Sequence, residues 1–409
     1  MKKKIVITGM GMVSSLGIGL DENWERYLSG VSEIKEYEIE GMDLVTHAGK
    51  VSDDKLGPYI PEKKKGKIDR FTCFAMVASK MALEDAKIDE GFEREKIGVF
   101  IGSAFSGLNI IEKQLKVLYR EGPRRVHPLL MQNNITNASS GEVAIEFTLK
   151  GPNIGFASGG CSAGYSLIQA CNTLQLHDID AIVVGGTEAP LLPYVFAELK
   201  SNGLYQTNGY DQDKVSRPFD SARKGFVLSE GSGVVILETL RSAEKRGAEI
   251  YGELVGCGAS YGKNNYTNQQ NHGFLSKVAC IQQALESAAI QPSQVEYINA
   301  SGISGIEEDR EESEVMQTVF GRDVQNIPVS STKGTFGYSI GASGAIDAIF
   351  SLLSLKKQTL PQTQNLEHID PSCGTIPILK ESMEKPVNII LSNNFDYAGN
   401  NVSLVFRRI

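Results

Sequence analysis

Residues 151–176, GPNIGFASGGCSAGYSLIQACNTLQL, constrain this chain more than any other stretch. They read as a short extended segment, a glycine-rich turn and an apolar helix, with Cys161 where the helix begins. Gly159 and Gly160 tolerate positive φ. Ser162, Ala163 and Gly164 are small enough to let backbones approach closely. Leu167, Ile168, Ala170, Cys171 and Leu174 follow, so the helix is expected to be buried on most sides. A thiol at a helix start faces unpaired N–H groups and the positive end of the macrodipole, and both favour the nucleophilic thiolate. The competing reading is a small buried residue with no chemical task.

Composition removes several classes. A chain of 409 residues, 41% apolar and 22% charged, can bury a large core. Its net charge of −8 supplies no basic field for nucleic acid. The six cysteines (73, 161, 171, 257, 280 and 373) show no paired spacing and read as thiols in a reducing cytoplasm. After the N-terminal lysines, IVITGMGMV is short and glycine-broken, so it reads as a buried strand rather than a signal peptide. No apolar run is long enough to span a bilayer, so no membrane is expected. No His/Cys/Asp/Glu cluster has ligand spacing, and no metal is expected. Gly9-Met10-Gly11 lacks the third glycine of a dinucleotide fingerprint.

Along the chain, residues 21–28 predict a short helix and residues 30–68 a polar, irregular stretch. That stretch ends in Lys63-Lys64-Lys65-Gly66-Lys67, either a solvated face or a contact for an acidic partner. Asp69 is placed to cap the helix that follows. Residues 97–102 and 181–186 predict strands, and residues 190–229 a long polar connection of the kind that carries function or an interface. The second part then repeats the first at low identity. YGELVGCGASYG matches the opening strand and turn, VEYINASGISG matches IGVFIGSAFSG, and PVSSTKGTFGYSIGASGAIDAIFSLLSL matches the cysteine stretch. Residues 388–406 close the chain as two strands around a glycine-rich turn. The repetition implies a layered α/β architecture in two halves, residues 1–250 and 251–409.

GPN…GGCSAG resembles the nucleophile turn of the β-ketoacyl-acyl carrier protein synthases, the condensing enzymes of fatty acid and polyketide synthesis. The resemblance covers essentially the whole chain and implies a thiolase-like duplicated fold, layered α-β-α-β-α. It also implies a cysteine that carries the acyl chain, and two histidines that promote decarboxylation and stabilise the enolate. The family's first histidine lies in N-A-H-G-T-S-T; here that stretch is Asn299-Ala300-Ser301-Gly302-Ile303-Ser304-Gly305. Ser301 holds the histidine position, and Ile303 and Gly305 replace two threonines that lie along the pantetheine path. The second histidine follows S-T-K-…-G, and Tyr338 stands there. Lys333 matches the family lysine, and Asp309 and Glu312 match its acidic residues. A buried pair between that lysine and a carboxylate would hold the two turns together. The closing loop N-S-F-G-F-G-G-T-N is here Asn393-Asn394-Phe395-Asp396-Tyr397-Ala398-Gly399-Asn400-Asn401. Asp396 replaces a hinge glycine and Tyr397 the gating phenylalanine, which predicts a retuned or immobilised loop.

Neither serine nor tyrosine replaces a neutral imidazole near neutral pH. None of the five histidines (47, 127, 177, 272 and 368) lies in a comparable glycine-rich turn. Three readings follow from the resemblance. One is a chain-length factor (ketosynthase β), which forms a heterodimer with an active ketosynthase and shapes its tunnel in type II polyketide synthesis. Another is an acyltransferase that uses Cys161 without decarboxylation. The last is a 3-oxoacyl-carrier protein synthase with unusual residues. Each implies an acyl carrier protein as partner, its phosphopantetheine arm as substrate, and no bound cofactor.

Overall fold

The computed structural model describes residues 3–39, 45–88, 92–205, 214–262 and 272–409. Each half of the chain builds five strands of one sheet. In chain order they are β1 (Ile5–Val13), β2 (Ile97–Gly102), β3 (Asn153–Phe156), β4 (Ala181–Glu188) and β5 (Gly231–Thr239). The second set is β6 (Gly252–Tyr261), β7 (Tyr297–Asn299), β8 (Val329–Ser330), β9 (Ile389–Phe395) and β10 (Asn400–Arg407). Outward from the centre the first set runs β1-β5-β4-β2-β3 and the second β6-β10-β9-β7-β8. The directions also match: β2 is parallel to β3 and β4, β7 to β8 and β9, and the remaining pairs are antiparallel. Among the described residues the sets pair only where Val6 faces Glu253 and Ile7 faces Gly252. The internal repeat in the sequence is therefore a repeat of topology.

Five helices complete the layers: α1 (Arg70–Ala86), α2 (Ser162–Leu176), α3 (His272–Ala288), α4 (Ile306–Phe320) and α5 (Ser343–Lys357). α1 covers β1, β4 and β5, α3 covers β6 and β10, and α4 packs on α3. α2 and α5 pack on each other between the two strand sets, which gives the α-β-α-β-α order. α5 is buried at every residue from 343 to 355, as a helix enclosed between the two strand sets must be. Two of its serines return their hydroxyls to the same helix, Ser351 to the Asp347 carbonyl (2.8 Å) and Ser354 to that of Phe350 (2.9 Å).

Glycine does the same job in both halves. A β-carbon at Gly9 or Gly11 would collide with the Ala82 or Ala78 carbonyl of α1. One at Gly256 or Gly258 would strike the Ala284 or Cys280 carbonyl of α3. The Gly-x-Gly of the first strand is thus a seat for a helix backbone. Asp69 caps α1 as expected, accepting from the Phe71 N–H at 3.2 Å.

Two stretches expected to be irregular carry structure. Lys35–Glu38 pairs with Val45–Ala48, and Pro193–Ser201 is helical. Leu191, Leu192, Val195, Phe196, Leu199 and Tyr205 form an apolar cluster with Phe226, Ile303 and Tyr338. That tertiary burial is what orders a segment whose local pattern is weak. Residues 1–2 at the N-terminal end, and parts of both irregular stretches (residues 40–44 and 206–213), lie outside the described residues. Within the lysine run, Lys64 is buried and bridges Glu142 and Glu146 at 2.5 Å each, and Lys65 pairs with Glu62. One of the run's four charges is therefore spent inside the molecule, and the others stay at the surface.

Candidate active site

The site is built where α2 begins, under the β9–β10 hairpin. Cys161 is the N-cap residue of α2 and is fully buried. Gly159 takes the expected positive φ of 56°; Gly160 does not need one. The turn spends its own donors: the Cys161 N–H bonds the Ser158 carbonyl at 3.1 Å and the Ser162 N–H that of Gly159 at 3.2 Å. The thiol donates toward two carbonyls, Asn394 O at 2.9 Å and Asn400 O at 3.2 Å.

The expectation of a thiolate at the helix start is therefore corrected. Burial, and then the Asp396 carboxyl facing it, pushes the Cys161 thiol well above its ordinary range. The backbone N–H groups of Asp396 and Val402 act in the thiolate's favour, but complete burial and the Asp396 carboxyl outweigh them.

The residues that replace the expected ones converge here. Tyr338 is fully buried, and a β-carbon at Gly160 would collide with its hydroxyl and lie 3.0 Å from Asp396 Oδ1. A β-carbon at Gly159 would collide with Asp396 Oδ2. The Tyr338 hydroxyl finds no hydrogen-bond partner among the described residues, nor does the Asn394 side chain. Burial, then Asp396 and Cys161, raises the Tyr338 phenol well above its usual value. Phe226 packs edge-on against Tyr338 at 5.5 Å and tilted against Tyr397 at 5.7 Å. Burial and Asp396 push Tyr397 up to about 12. Ile340, two residues beyond Tyr338, is held at φ 41°, a strained conformation for a β-branched residue.

Ser301 is committed to the fold. Its hydroxyl donates to the Phe395 carbonyl and accepts from the Phe395 N–H, both at 3.1 Å, which pins the end of β9. Its own N–H and that of Gly302 donate to Glu312, at 2.9 and 2.8 Å. Ile303 is buried in the Tyr338 cluster, and Gly305 is the N-cap residue of α4. The closing loop is a tight hairpin end: the Asp396 N–H bonds Asn400 O at 2.9 Å and the Gly399 N–H bonds Asp396 O at 3.0 Å.

Lys333 does not pair with Asp309 or Glu312. Its partner is Asp347 on α5, at 2.5 Å, with both side chains buried. Thr332 donates to the other oxygen of Asp347 at 2.7 Å. The sequence held a signal that was missed: Asp347 is the single charge within the apolar run of α5 before its terminal lysines. The contacts of Phe226 with Tyr338 and of Asn394 with Cys161 come only from the fold.

Asp309 instead accepts the N–H groups of Phe219 (2.8 Å) and Ser304 (3.1 Å) and lies 3.8 Å from Arg223. Burial outweighs Arg223 and raises its carboxyl from 3.8 to about 7. The folded chain therefore binds more protons here than the unfolded chain between those values. This contribution to stability is full below about pH 4 and is lost as pH rises through about 7. The unfolding free energy of wild type minus that of Asp309→Asn is expected to fall across that window and to flatten above it. Urea titrations over the pH range check this, and a difference that rises with pH rejects it.

The five histidines lie apart from this constellation. His177 caps the far end of α2, His272 opens α3, His47 sits in the small hairpin, His127 is tied to Gln114, and the His368 N–H bonds Asp220.

Comparison with known proteins fits this geometry. The family described as Beta-ketoacyl synthase, N-terminal domain, matches residues 2–243, and its C-terminal domain matches residues 251–367. The chain belongs to the β-ketoacyl synthase family. It is 36% identical over 410 residues to a 3-oxoacyl-[acyl-carrier-protein] synthase 2 of Staphylococcus aureus (strain N315), covering 99% of this chain and 98% of that one. A type II polyketide synthase acyl-carrier protein in complex with its ketosynthase bound to the hexaketide has a chain of the same fold (TM-score 0.90, 26% identity, 100% of both chains). The ishigamide ketosynthase/chain length factor is similar too (TM-score 0.89, 25% identity, 100% of both). Within this β-ketoacyl synthase fold, Cys161 persists, whereas Ser301 and Tyr338 occupy the two positions where the resemblance calls for histidine.

Among the described residues no cluster of three or more His, Cys, Asp or Glu side chains is arranged to hold a metal ion, and no helix is long and apolar enough to cross a membrane.

Proposed function

We propose that this β-ketoacyl synthase homologue is a non-condensing partner subunit, a chain-length factor that pairs with a histidine-bearing ketosynthase and shapes the acyl tunnel of a type II polyketide system. The observation that carries the reading is chemical: the cysteine lies buried under Tyr338 and Asp396, and neither decarboxylation position offers an imidazole. Decarboxylative condensation needs a thiolate to take the acyl group and positioned donors to hold the enolate oxygen. The Tyr338 phenol can donate a hydrogen bond but is no neutral-imidazole acceptor, and the Ser301 hydroxyl is already committed to Phe395.

Two surfaces support the same reading. A cleft of about 290 Å³ opens beside the closing loop and is lined by Glu307, Glu308, Glu311 and Asp396 against Lys277 and Arg310. Lys277 lies 3.5 Å from Glu311, and Arg310 holds Glu307 (2.7 Å) and Glu314 (2.6 Å). An anionic phosphopantetheine arm would meet carboxylates whose cations are already engaged. On the other side, β3 is an open sheet edge with Ile154 exposed. Leu129, Ile135 and Ile145, all exposed, line a groove together with Lys63, Lys64 and Lys67, beside residues 137–138, against which the strand packs. An unpaired edge next to apolar surface suits a homologous subunit, with strand pairing across the interface. The acyl carrier protein is then met mainly through the partner.

The identity with 3-oxoacyl-[acyl-carrier-protein] synthases favours the rival reading of a condensing enzyme with unusual residues. One experiment separates them. The purified chain is mixed with acyl- and malonyl-carrier protein, alone and with a candidate ketosynthase, and followed by intact-protein mass spectrometry. The chain alone is expected to leave malonyl-carrier protein intact, and the mixture to give products of defined length. Turnover by the chain alone would overturn the proposal.

A further inference from the structure

The cysteine is retained where the histidines are not, and the hydrogen bonds around it supply a reason. Its one S–H proton faces Asn394 O and Asn400 O, which belong to opposite strands of the hairpin just below its turn. These two electron-rich oxygens favour the thiol as hydrogen-bond donor, and the nearby N–H groups of Asp396 and Val402 oppose them only in part. The same hairpin is pinned by Ser301 through Phe395 and by its own turn hydrogen bonds. Above the sulfur, the Tyr338 ring is wedged against Phe226, and its hydroxyl lies over Gly160 with no partner among the described residues. A buried hydroxyl without a partner is unfavourable, so the side chain is held there by its bulk rather than by a bond. Asp396 covers Gly159 from the loop side.

We propose that Cys161 acts as a clasp and not as a nucleophile: its S–H fastens β9 to β10, while the Tyr338 ring and the Asp396 side chain fill the approach that a thioester would take to the sulfur. The inference rests on the non-condensing reading and deepens it. The two substitutions that depart most from the resemblance act as one plug, and the retained cysteine gains a structural task.

The test is peptide-resolved alkylation of the native full-length chain by iodoacetamide, with the half-buried Cys171 and Cys257 as internal references. Cys161 is expected to react at least about tenfold more slowly than either. Tyr338→Ala/Asp396→Gly should bring it to the reference rate, and Tyr338→Phe, which keeps the ring, should leave it shielded. If the double variant does not fold by circular dichroism, Asp396→Gly alone is read, with a partial gain expected. Wild-type Cys161 reacting at the reference rate overturns the plug, as does a folded opened variant that stays inert. The clasp is read by hydrogen exchange. Cys161→Ala should speed exchange in residues 394–401 by about tenfold or more, and Cys161→Ser, which keeps a donor, should speed it less. Unchanged exchange in Cys161→Ala overturns the clasp. The two proposals fail separately. A shielded Cys161 in a chain that ignores every ketosynthase leaves the clasp and removes the partner role; a reactive Cys161 in a chain that still sets product length does the reverse.

Discussion

Replacing Lys333 by methionine is expected to destabilise the protein by about 3–5 kcal/mol, the usual cost of stripping one partner from a buried ion pair. Lys333 and Asp347 are both about 1% exposed and stand 2.5 Å apart. Removing the ammonium leaves a carboxyl inside the helix layer, with Thr332 as its remaining side-chain donor. Burial already raises the Asp347 carboxyl above its ordinary range even with Lys333 beside it, so removing the lysine disfavours its charged form further. The damage should spread, because this pair ties the turn before Tyr338 to α5, and α5 packs against strands of both sets. Urea unfolding of Lys333→Met, Asp347→Leu and the double variant measures the coupling. The double variant is expected to lose far less than the sum of the single losses, since two apolar side chains leave no buried charge behind. Single losses of about 1 kcal/mol or less would mean that the pair behaves like an exposed one.

Putting both histidines back is expected not to restore condensation. In Ser301→His/Tyr338→His the decarboxylation of malonyl-carrier protein should stay at least about a hundredfold below that of a histidine-bearing ketosynthase, the effect of a missing oxyanion donor. Two features of the structure oppose rescue. Asp396 would face an imidazole at position 338 and hold it protonated, removing its acceptor. An imidazole at position 301 would displace the hydroxyl that pins Phe395, loosening the strand whose Asn394 carbonyl holds Cys161. Adding Asp396→Gly to the pair should recover at least about tenfold, by freeing both the imidazole and the thiol. The measurement is carbon dioxide release from malonyl-carrier protein by the three proteins at equal concentration. Full activity in the double variant would show that Asp396 is no obstacle.

Much of this was legible before any coordinates. The repeat of strand, glycine turn and buried helix announced two similar halves, because each unit needs the same period and the same small residues to bury its helix. The motif positions placed Cys161, Ser301, Tyr338 and Asp396 within one family pattern, and a pattern of that length leaves little freedom in which positions meet. The loss of both imidazoles was also plain, since residue identity alone fixes which groups titrate near neutrality.

The tertiary structure decided what those residues do to one another. Local sequence pointed to a thiolate at Cys161, because a helix start is a local feature. The opposing terms come from far along the chain: the carbonyls of Asn394 and Asn400, the Asp396 carboxyl and complete burial. The partner of Lys333 was misjudged for the same reason. Several carboxylates were available to it, and only the crossing of α5 beneath the turn brings Asp347 to 2.5 Å. Proton affinity and ion pairing depend on distance in space and on exclusion of water, and neither is a property of sequence order.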